Sequence, residues 1–453
     1  MLGFLRLFTI FRSKMTVMKK ILLSALLLLL AGSLCRAQLP EGSWSGAIDV
    51  QGTKLTLVFH FTDEGCKLDV PDQGARGIPA AARLTELGAT HIDMASLHAT
   101  FEGFRMGDKL VGTFTQHGVK FPLTLSPGTP VRNRPQTPQP PFPYATEELS
   151  FTNGDAVLRG TLTLPEGYDR STPVLLMVTG SGLQNRDEEL FEHKPFAVIA
   201  DCLARRGVAT LRYDDRGFGE STGDVVHCTT EDLKEDAAAG VALLRTRFDR
   251  VGVLGHSEGG TIALMLAAEG KADFIVSLAG MVVSGAETLI AQNRAALPKA
   301  GVDAQTTERY CQALEETFAA VAEGRPYPKA EDFKLPDGLR QNLLAVQAQL
   351  NMPYLRSFVK LDVSRRLGQI NCPVLALNGT RDTQVDAVRN LGALKEGLPA
   401  SLPNRRIAAC DGLNHLFQHC TTGFPDEYPL IEETFAPEVL GILATWINGL
   451  GRR

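Results

Sequence analysis

Cysteine is scarce in this 453-residue chain, with eight in all. Beyond residue 37 there are seven: Cys66, Cys202, Cys228, Cys311, Cys372, Cys410 and Cys420. That density excludes a disulfide scaffold, and the odd number leaves at least one thiol unpaired. Cys410 and Cys420 bracket a histidine, and both a disulfide pinning that loop and two free thiols stay open. An excess of basic residues is also missing. The first 37 residues hold six basic and no acidic side chains, so the remainder carries 40 Lys and Arg against 51 Asp and Glu, a net −11. Such a balance argues against a nucleic-acid partner. The apolar run Ile21 to Leu30 falls short of the ~20 residues a bilayer span requires, so no stable membrane anchor is expected. His60, His91, His98 and His117 follow no metal-ligand spacing, and the default for each is a structural or surface histidine. Gly180-Ser181-Gly182 imitates the start of a dinucleotide fingerprint, but its third glycine would fall at Asn185. Neither cofactor nor metal is expected.

What is present begins with a leader. Arg12, Lys14, Lys19 and Lys20 precede the apolar run, and Cys35-Arg36-Ala37 offers a cleavage site before Gln38, so residues 1–37 read as a secretory signal of an exported protein. A lipoprotein attached through Cys35 ranks second, because Leu34 is bulky where a small residue is wanted. Residues 38–126 carry short period-two runs, at Trp44 to Val50, Lys54 to Phe61, His98 to Phe104 and Lys109 to Phe114, separated by turns such as Asp63-Glu64-Gly65. These predict a small antiparallel sheet or barrel. Residues 127–145 are proline-rich and aperiodic, which predicts a semi-rigid linker.

From 146 to 453 strands alternate with helical patterns, the signature of a doubly wound, mostly parallel α/β sheet. Strands are expected at 156–164, 173–178, 208–213, 251–256, 274–279, 373–377 and 406–409. Helices are expected at 191–206, 230–246 and 437–448. The strand rhythm stops across residues 281–370, where helical patterns at 286–296, 306–323 and 337–350 predict a cap lying over the strand ends.

The stretch that carries chemistry is Gly255-His256-Ser257-Glu258-Gly259, between an apolar strand and the helix former Thr261 to Ala268. A Gly-x-Ser-x-Gly pentapeptide alone is often only a turn. Flanked by strand and helix, it reads as a nucleophile elbow that holds Ser257 up at the sheet's mouth. A serine alcohol attacks poorly until a base takes its proton, and the base needs an acid to orient it. On this layout the chain order is serine, acid, histidine. Asp382 follows the buried strand Pro373 to Leu377 through a glycine turn, whereas the preceding strand ends at Leu278-Ala279-Gly280-Met281 without a carboxylate. His415 follows the last strand and is the expected base. His419 is its rival, four residues further on, and His256 is expected to pack away from the cleft. The oxyanion donors are expected at the backbone N–H of Glu258 and in the loop after the 173–178 strand, at Ser181 with Gly182 next. Asp214, Asp215 and Arg216 are expected to form an ion-pair network that holds their loop rather than to touch substrate.

Together, Gly180-Ser-Gly-Leu-Gln-Asn-Arg-Asp-Glu-Glu, His193-Lys-Pro-Phe, Leu211-Arg-Tyr-Asp-Asp-Arg-Gly-Phe-Gly-Glu-Ser-Thr, the elbow and Leu413-Asn-His-Leu-Phe resemble the α/β-hydrolase superfamily, and within it the secreted bacterial EstD-like esterases. Val70-Pro-Asp-Gln-Gly-Ala-Arg-Gly-Ile-Pro and Gly112-Thr-Phe-Thr-Gln extend the resemblance into the amino-terminal segment; Leu183 departs from it, where the family carries proline. What it implies is hydrolysis of small-molecule carboxylic esters through Ser257, Asp382 and His415. The alternatives are a serine peptidase acting on short peptides, and an inactive protein that binds glycan or wall polymer.

Overall fold

The computed structural model describes residues 39–50, 53–63, 65–71, 75–129 and 132–451. The expected leader lies outside these residues. The chain divides into two compact units between Val131 and Arg132. No described helix is long and apolar enough to cross a membrane.

The first unit is a closed barrel of strands β1 (Gly42–Val50), β2 (Thr53–Thr62), β3 (Gly65–Val70), β4 (Ala75–Leu84), β5 (Thr90–Met94), β6 (Ala99–Met106), β7 (Lys109–Gln116) and β8 (Val119–Pro127). Each pairs antiparallel with the next, and β8 returns to β1 with Trp44 opposite Pro127. Alternation along the strands turns Trp44, Leu57, Phe59, Leu68, Ile92 and Phe101 inward, where they are almost wholly buried and fill the interior. The outward face of β1 to β3 carries a cross-strand hydrogen-bonded row. His60 Nδ1 lies 2.9 Å from Ser43 Oγ, and His60 Nε2 lies 2.9 Å from Asp69 Oδ2. His60 thereby ties three strands together.

The second unit contains β9 (Ala145–Asn153), β10 (Ala156–Leu164), β11 (Val174–Val178), β12 (Ala209–Tyr213), β13 (Val251–His256), β14 (Phe274–Leu278), β15 (Val374–Gly379) and β16 (Arg406–Cys410). They form one sheet in the order β16-β15-β14-β13-β11-β12-β10-β9, parallel except where β10 pairs with β12 and with β9. The central strands are apolar on both faces because helices cover both. On one face Leu175, Met177, Leu254 and Val276 pack with helices α1 (Pro195–Ala204) and α9 (Pro437–Gly449). On the other, Val174, Leu176, Val253 and Ile275 pack with α2 (Thr230–Arg245), α3 (Glu258–Ala268) and α8 (Ala387–Gly397). At roughly 2 kcal/mol for each fully buried aliphatic side chain, this double layer is the main source of stability.

Between β14 and β15 run α4 (Gly285–Lys299), α5 (Ala304–Glu323), α6 (Asp337–Gln349) and α7 (Pro353–Phe358). They have a core of their own, with Tyr310, Cys311, Leu314, Phe318 and Leu343 buried together. The first helix of the unit starts later than its pattern suggests. Phe191 and Glu192 have φ of 52° and 65°, and the helix opens at Pro195, whose missing N–H costs nothing in the first turn. The proline-rich stretch also differs from a free spacer. Arg134 donates to the carbonyls of Phe191, Pro429 and Ile431, and the Gln136 side chain bonds both Thr434 and Phe435, so residues 132–144 are strapped to the rest of the second unit. All seven described cysteines are unbridged, Cys410 and Cys420 among them.

Candidate active site

Strand β13 is buried along its whole length and delivers Ser257 at φ 54° and ψ −119°, a conformation few non-glycine residues adopt. The chain turns there into α3. Only glycine fits on either side: a Cβ on Gly255 would come within 1.9 Å of the Gly259 carbonyl oxygen, and one on Gly259 within 2.1 Å of that of Val178. Ser257 lines a cavity of about 270 Å³ together with Gly180, Ser181, His256 and His415.

Asp382 stands three residues beyond β15. Its Oδ1 accepts the N–H groups of Gln384 and Val385, both at 2.8 Å, which fixes the carboxylate. Its Oδ2 accepts from His415 Nδ1 at 2.7 Å. Both side chains are buried. With Nδ1 committed to the carboxylate, the proton sits on that nitrogen and Nε2 is left as the basic one. The loop carrying His415 is held by Asn414, whose Oδ1 accepts the N–H groups of Leu416 and Gln418. His419 goes elsewhere. It is largely exposed and bonded to Glu433, which raises its pKa.

The residues expected to supply oxyanion donors divide. Ser181 lines the cavity, and Glu258 opens α3 directly after Ser257. Gly182, at φ 87°, is outside the lining. Gly180 N–H is taken by Glu188 Oε1 at 2.8 Å.

His256 departs from expectation. It lines the cavity rather than packing away from it, with its ring 4.7 Å from that of His415. Nδ1 lies 2.9 Å from Glu188 Oε1 and Nε2 2.9 Å from the His415 carbonyl oxygen. Burial alone would pull this imidazole down, but the Glu188 carboxylate outweighs it and leaves the pKa raised.

Two further residues escaped the sequence reading. Glu188 sits in the charged run Arg186 to Glu189, where nothing singles it out, yet it is buried at the cavity wall. Tyr354 belongs to the cap, and its hydroxyl donates to the Glu258 carboxylate at 2.5 Å, while Thr230 donates to the other oxygen at 2.6 Å. Burial raises the pKa of Glu258 and of Tyr354 alike. The cap also contributes Leu289, Gln292, Leu355 and Phe358 to the lining.

The strand-end loop is largely an ion-pair network. Arg186 binds Asp214 at 2.8 Å, and Arg216 binds Asp236 through two nitrogens. Asp215 differs, because among the described residues it accepts from Thr179 and the Gln184 N–H and pairs with no cation, and burial pushes it up to about 8.

A mostly parallel sheet wrapped by helices, an elbow serine and a buried carboxylate–histidine pair define an α/β-hydrolase of the serine-hydrolase class. Residues 154–397, more than half of the chain, match the X-Pro dipeptidyl-peptidase (S15) family. The chain belongs to that family. It is also 36% identical over 140 residues to the esterase EstD of Thermotoga maritima, a match covering 30% of this chain and 33% of that protein, so only about a third of that relative's length is spanned. Among solved structures, the Pyrococcus furiosus esterase Pf2001 aligns at 18% identity, covering 71% of this chain and 99% of that one, with a TM-score of 0.42. A proline iminopeptidase of Mycobacterium smegmatis aligns at 17% identity over 67% and 98%, with a TM-score of 0.41.

Proposed function

We propose that the protein is an exported carboxylic ester hydrolase that works through an acyl-enzyme on Ser257. The observation that carries this reading is the 2.7 Å contact between Asp382 and His415 at the wall of the cavity that Ser257 also lines. In this mechanism His415 Nε2 takes the Ser257 proton as Oγ attacks the ester carbonyl. The N–H groups of Glu258 and Ser181 hold the resulting oxyanion. The intermediate collapses as the imidazolium returns the proton to the departing alcohol, and a water activated by the same nitrogen then releases the acid.

The lining favours a neutral acyl group of small or medium size. Leu190, Met281, Leu289, Leu355, Phe358 and Leu416 supply apolar surface, and Glu188 is the one carboxylate among the lining residues. Cleaving a dipeptide from a free amino terminus calls for a carboxylate to pair with the ammonium. Glu188 is already engaged by His256 and by Gly180 N–H, which weighs against that substrate. The match to a dipeptidyl-peptidase family keeps peptide hydrolysis as the second reading.

A fluorophosphonate probe should label the wild type and fail to label Ser257→Ala. p-Nitrophenyl esters from acetate to octanoate, assayed beside Gly-Pro and Ala-Pro p-nitroanilides, then rank the two chemistries. The ester reading expects turnover of the esters at least a hundredfold above the anilides. Comparable anilide turnover establishes the peptidase instead, and absence of labelling leaves an inactive binding protein. Amino-terminal sequencing of the exported protein should begin at Gln38.

A further inference from the structure

The turn that bears Asp382 is anchored from several sides. Asn378, near the end of β15, donates to the Val385 carbonyl at 3.0 Å, Thr383 Oγ1 to the Gly423 carbonyl at 3.2 Å, and the Gln384 side chain to the Tyr428 hydroxyl at 3.0 Å. A further anchor comes from the cap. Gln292 of α4 donates through Nε2 to the Gln384 carbonyl at 3.0 Å. That carbonyl shares its peptide group with the Val385 N–H, which reaches Asp382 Oδ1 at 2.8 Å. A trans peptide group is planar, with its C=O and N–H directed oppositely, so holding one end aims the other. Gln292 is thus one rigid plane away from the carboxylate that bonds His415.

The cap grips the same turn a second time. The Val385 side chain is buried with Met281 and Phe358, and Leu289 and Tyr354 pack against that cluster. Leu289 and Gln292 are three residues apart on α4 and therefore share a face. Both line the cavity that Ser257 lines. An acyl group filling that cavity would touch Leu289, and whatever shifts Leu289 shifts Gln292 with it, because they ride on one helical turn. A half-buried glutamine in a lining is ordinarily read as a contact for substrate, but the amide nitrogen of Gln292 is already committed to Gln384.

We propose that Gln292 is a positioning residue for Asp382, and that it makes the alignment of the acid depend on the seating of the cap. This role rests on Ser257, Asp382 and His415 acting together as proposed. With the cap seated, the Val385 N–H holds Asp382 Oδ1 and leaves Oδ2 to His415. With α4 displaced, the 384–385 peptide is free to tilt, and Asp382 loses one of the two N–H groups that fix it. The effect falls on kcat rather than KM, because Gln292 reaches the reacting groups through the acid turn and not through the substrate.

Gln292→Met keeps the length of the side chain and removes the donor, and Gln292→Glu keeps its shape and, ionised, donates nothing. Covalent labelling by diisopropyl fluorophosphate reads the alignment of the three residues while asking little of the acyl pocket. Both variants should be labelled about tenfold more slowly than the wild type, and kcat on the p-nitrophenyl ester or p-nitroanilide it turns over should fall by the same factor, with KM within about twofold. Tm should stay near that of the wild type, since the side chain is half-exposed. Labelling of both variants at the wild-type rate overturns the proposal, and a raised KM beside it makes Gln292 a substrate contact. Slow labelling that goes with a lowered Tm in both variants also overturns it and leaves Gln292 as a strut of the cap. A wild type that does not label at all removes the reading of Ser257, Asp382 and His415, and this role with it.

Discussion

Glu188 Oε1 lies 2.9 Å from His256 Nδ1, and the same oxygen accepts the Gly180 N–H at 2.8 Å. The other nitrogen of His256 reaches the carbonyl oxygen of His415. One buried carboxylate therefore ties the loop after β11 to the elbow, and through the elbow histidine to the loop that bears His415. These loops come from separate strand ends, and without a shared anchor each would settle independently. Glu188 also holds a left-handed backbone conformation, φ 51°, that a glutamate does not prefer; its two side-chain partners hold it there.

Replacing Glu188 by Ala should leave the Gly180 N–H and the His256 ring without their buried acceptor. The expected loss of stability is about 3–5 kcal/mol, as for a buried pair broken on one side. Glu188→Gln retains an acceptor and should fold, and kcat should fall on the order of 10²-fold through misplacement of the loops, with KM changed little. Urea denaturation and steady-state kinetics on the two variants separate these effects. A Gln variant with wild-type kcat would reduce Glu188 to packing.

Asp382→Asn keeps the acceptor that receives the Gln384 and Val385 N–H groups and turns an amide toward His415. The imidazole then has to present Nδ1 as an acceptor and carry its proton on Nε2, the nitrogen that must take the serine proton. The expected result is a fall in kcat of about 10⁴-fold with KM nearly unchanged. His419→Ala, on an exposed side chain bonded to Glu433, should stay within about twofold of wild type. The reverse pattern, measured on any substrate the protein turns over, would make His419 the base.

How far these features were legible follows from how local each signal is. The elbow, the buried strand before Asp382 and the strand before His415 are each spelled out over five to ten residues, so the strands of the parallel core were readable to within a residue or two. The barrel was half visible. Trp44 to Val50 and Lys54 to Phe61 alternate plainly, whereas β4, Ala-Arg-Gly-Ile-Pro-Ala-Ala-Ala-Arg-Leu, alternates only between exposed and half-buried positions, and its alanines give no period-two contrast in residue type. Strand β9 was hidden for a similar reason: Ala145-Thr-Glu-Glu is exposed at the sheet edge and continues the polar character of the stretch before it. Glu188 and Tyr354 were illegible because their partners are distant in sequence, 68 residues to His256 and 96 to Glu258. A carboxylate in a charged run and a tyrosine in a helical insertion declare nothing alone.

The bond from Tyr354 to Glu258 joins the cap to the residue beside Ser257, and its loss should be felt as a loosened cap. Tyr354→Phe removes one hydroxyl partner of the buried Glu258 carboxylate while Thr230 keeps its bond to the other oxygen, at a cost of about 1–3 kcal/mol. Since α7 also supplies Leu355 and Phe358 to the lining, KM for a hexanoate or octanoate ester should rise about fivefold or more. Thr230→Val removes the other bond to the same carboxylate from α2, which is not part of the cap. It should cost similar stability and leave KM unchanged. Equal effects of the two variants on KM would show that the cap does not depend on this contact.

Asp215 gives the stability of the fold a pH dependence of definite sign. Burial is the main cause of its elevation to about 8 from 3.8, with the Glu188 and Glu258 carboxylates adding to it. Between those values the folded chain keeps the proton and the unfolded chain has lost it, so the folded state binds more protons and stability falls as pH rises from about 4 to about 8. Above that range the contribution is constant. His256, raised by Glu188, acts in the same direction, its share being lost as pH rises through its elevated pKa. The wild-type curve therefore cannot isolate Asp215, and the comparison needed is with Asp215→Asn. The amide accepts the Gln184 N–H, donates to Thr179 Oγ1 and stays neutral throughout, which removes one source of the decline. Urea midpoints at pH 5 and pH 8 should show the asparagine variant gaining on the wild type toward pH 8. Parallel curves would mean that Asp215 is ionised in the folded protein across the whole range.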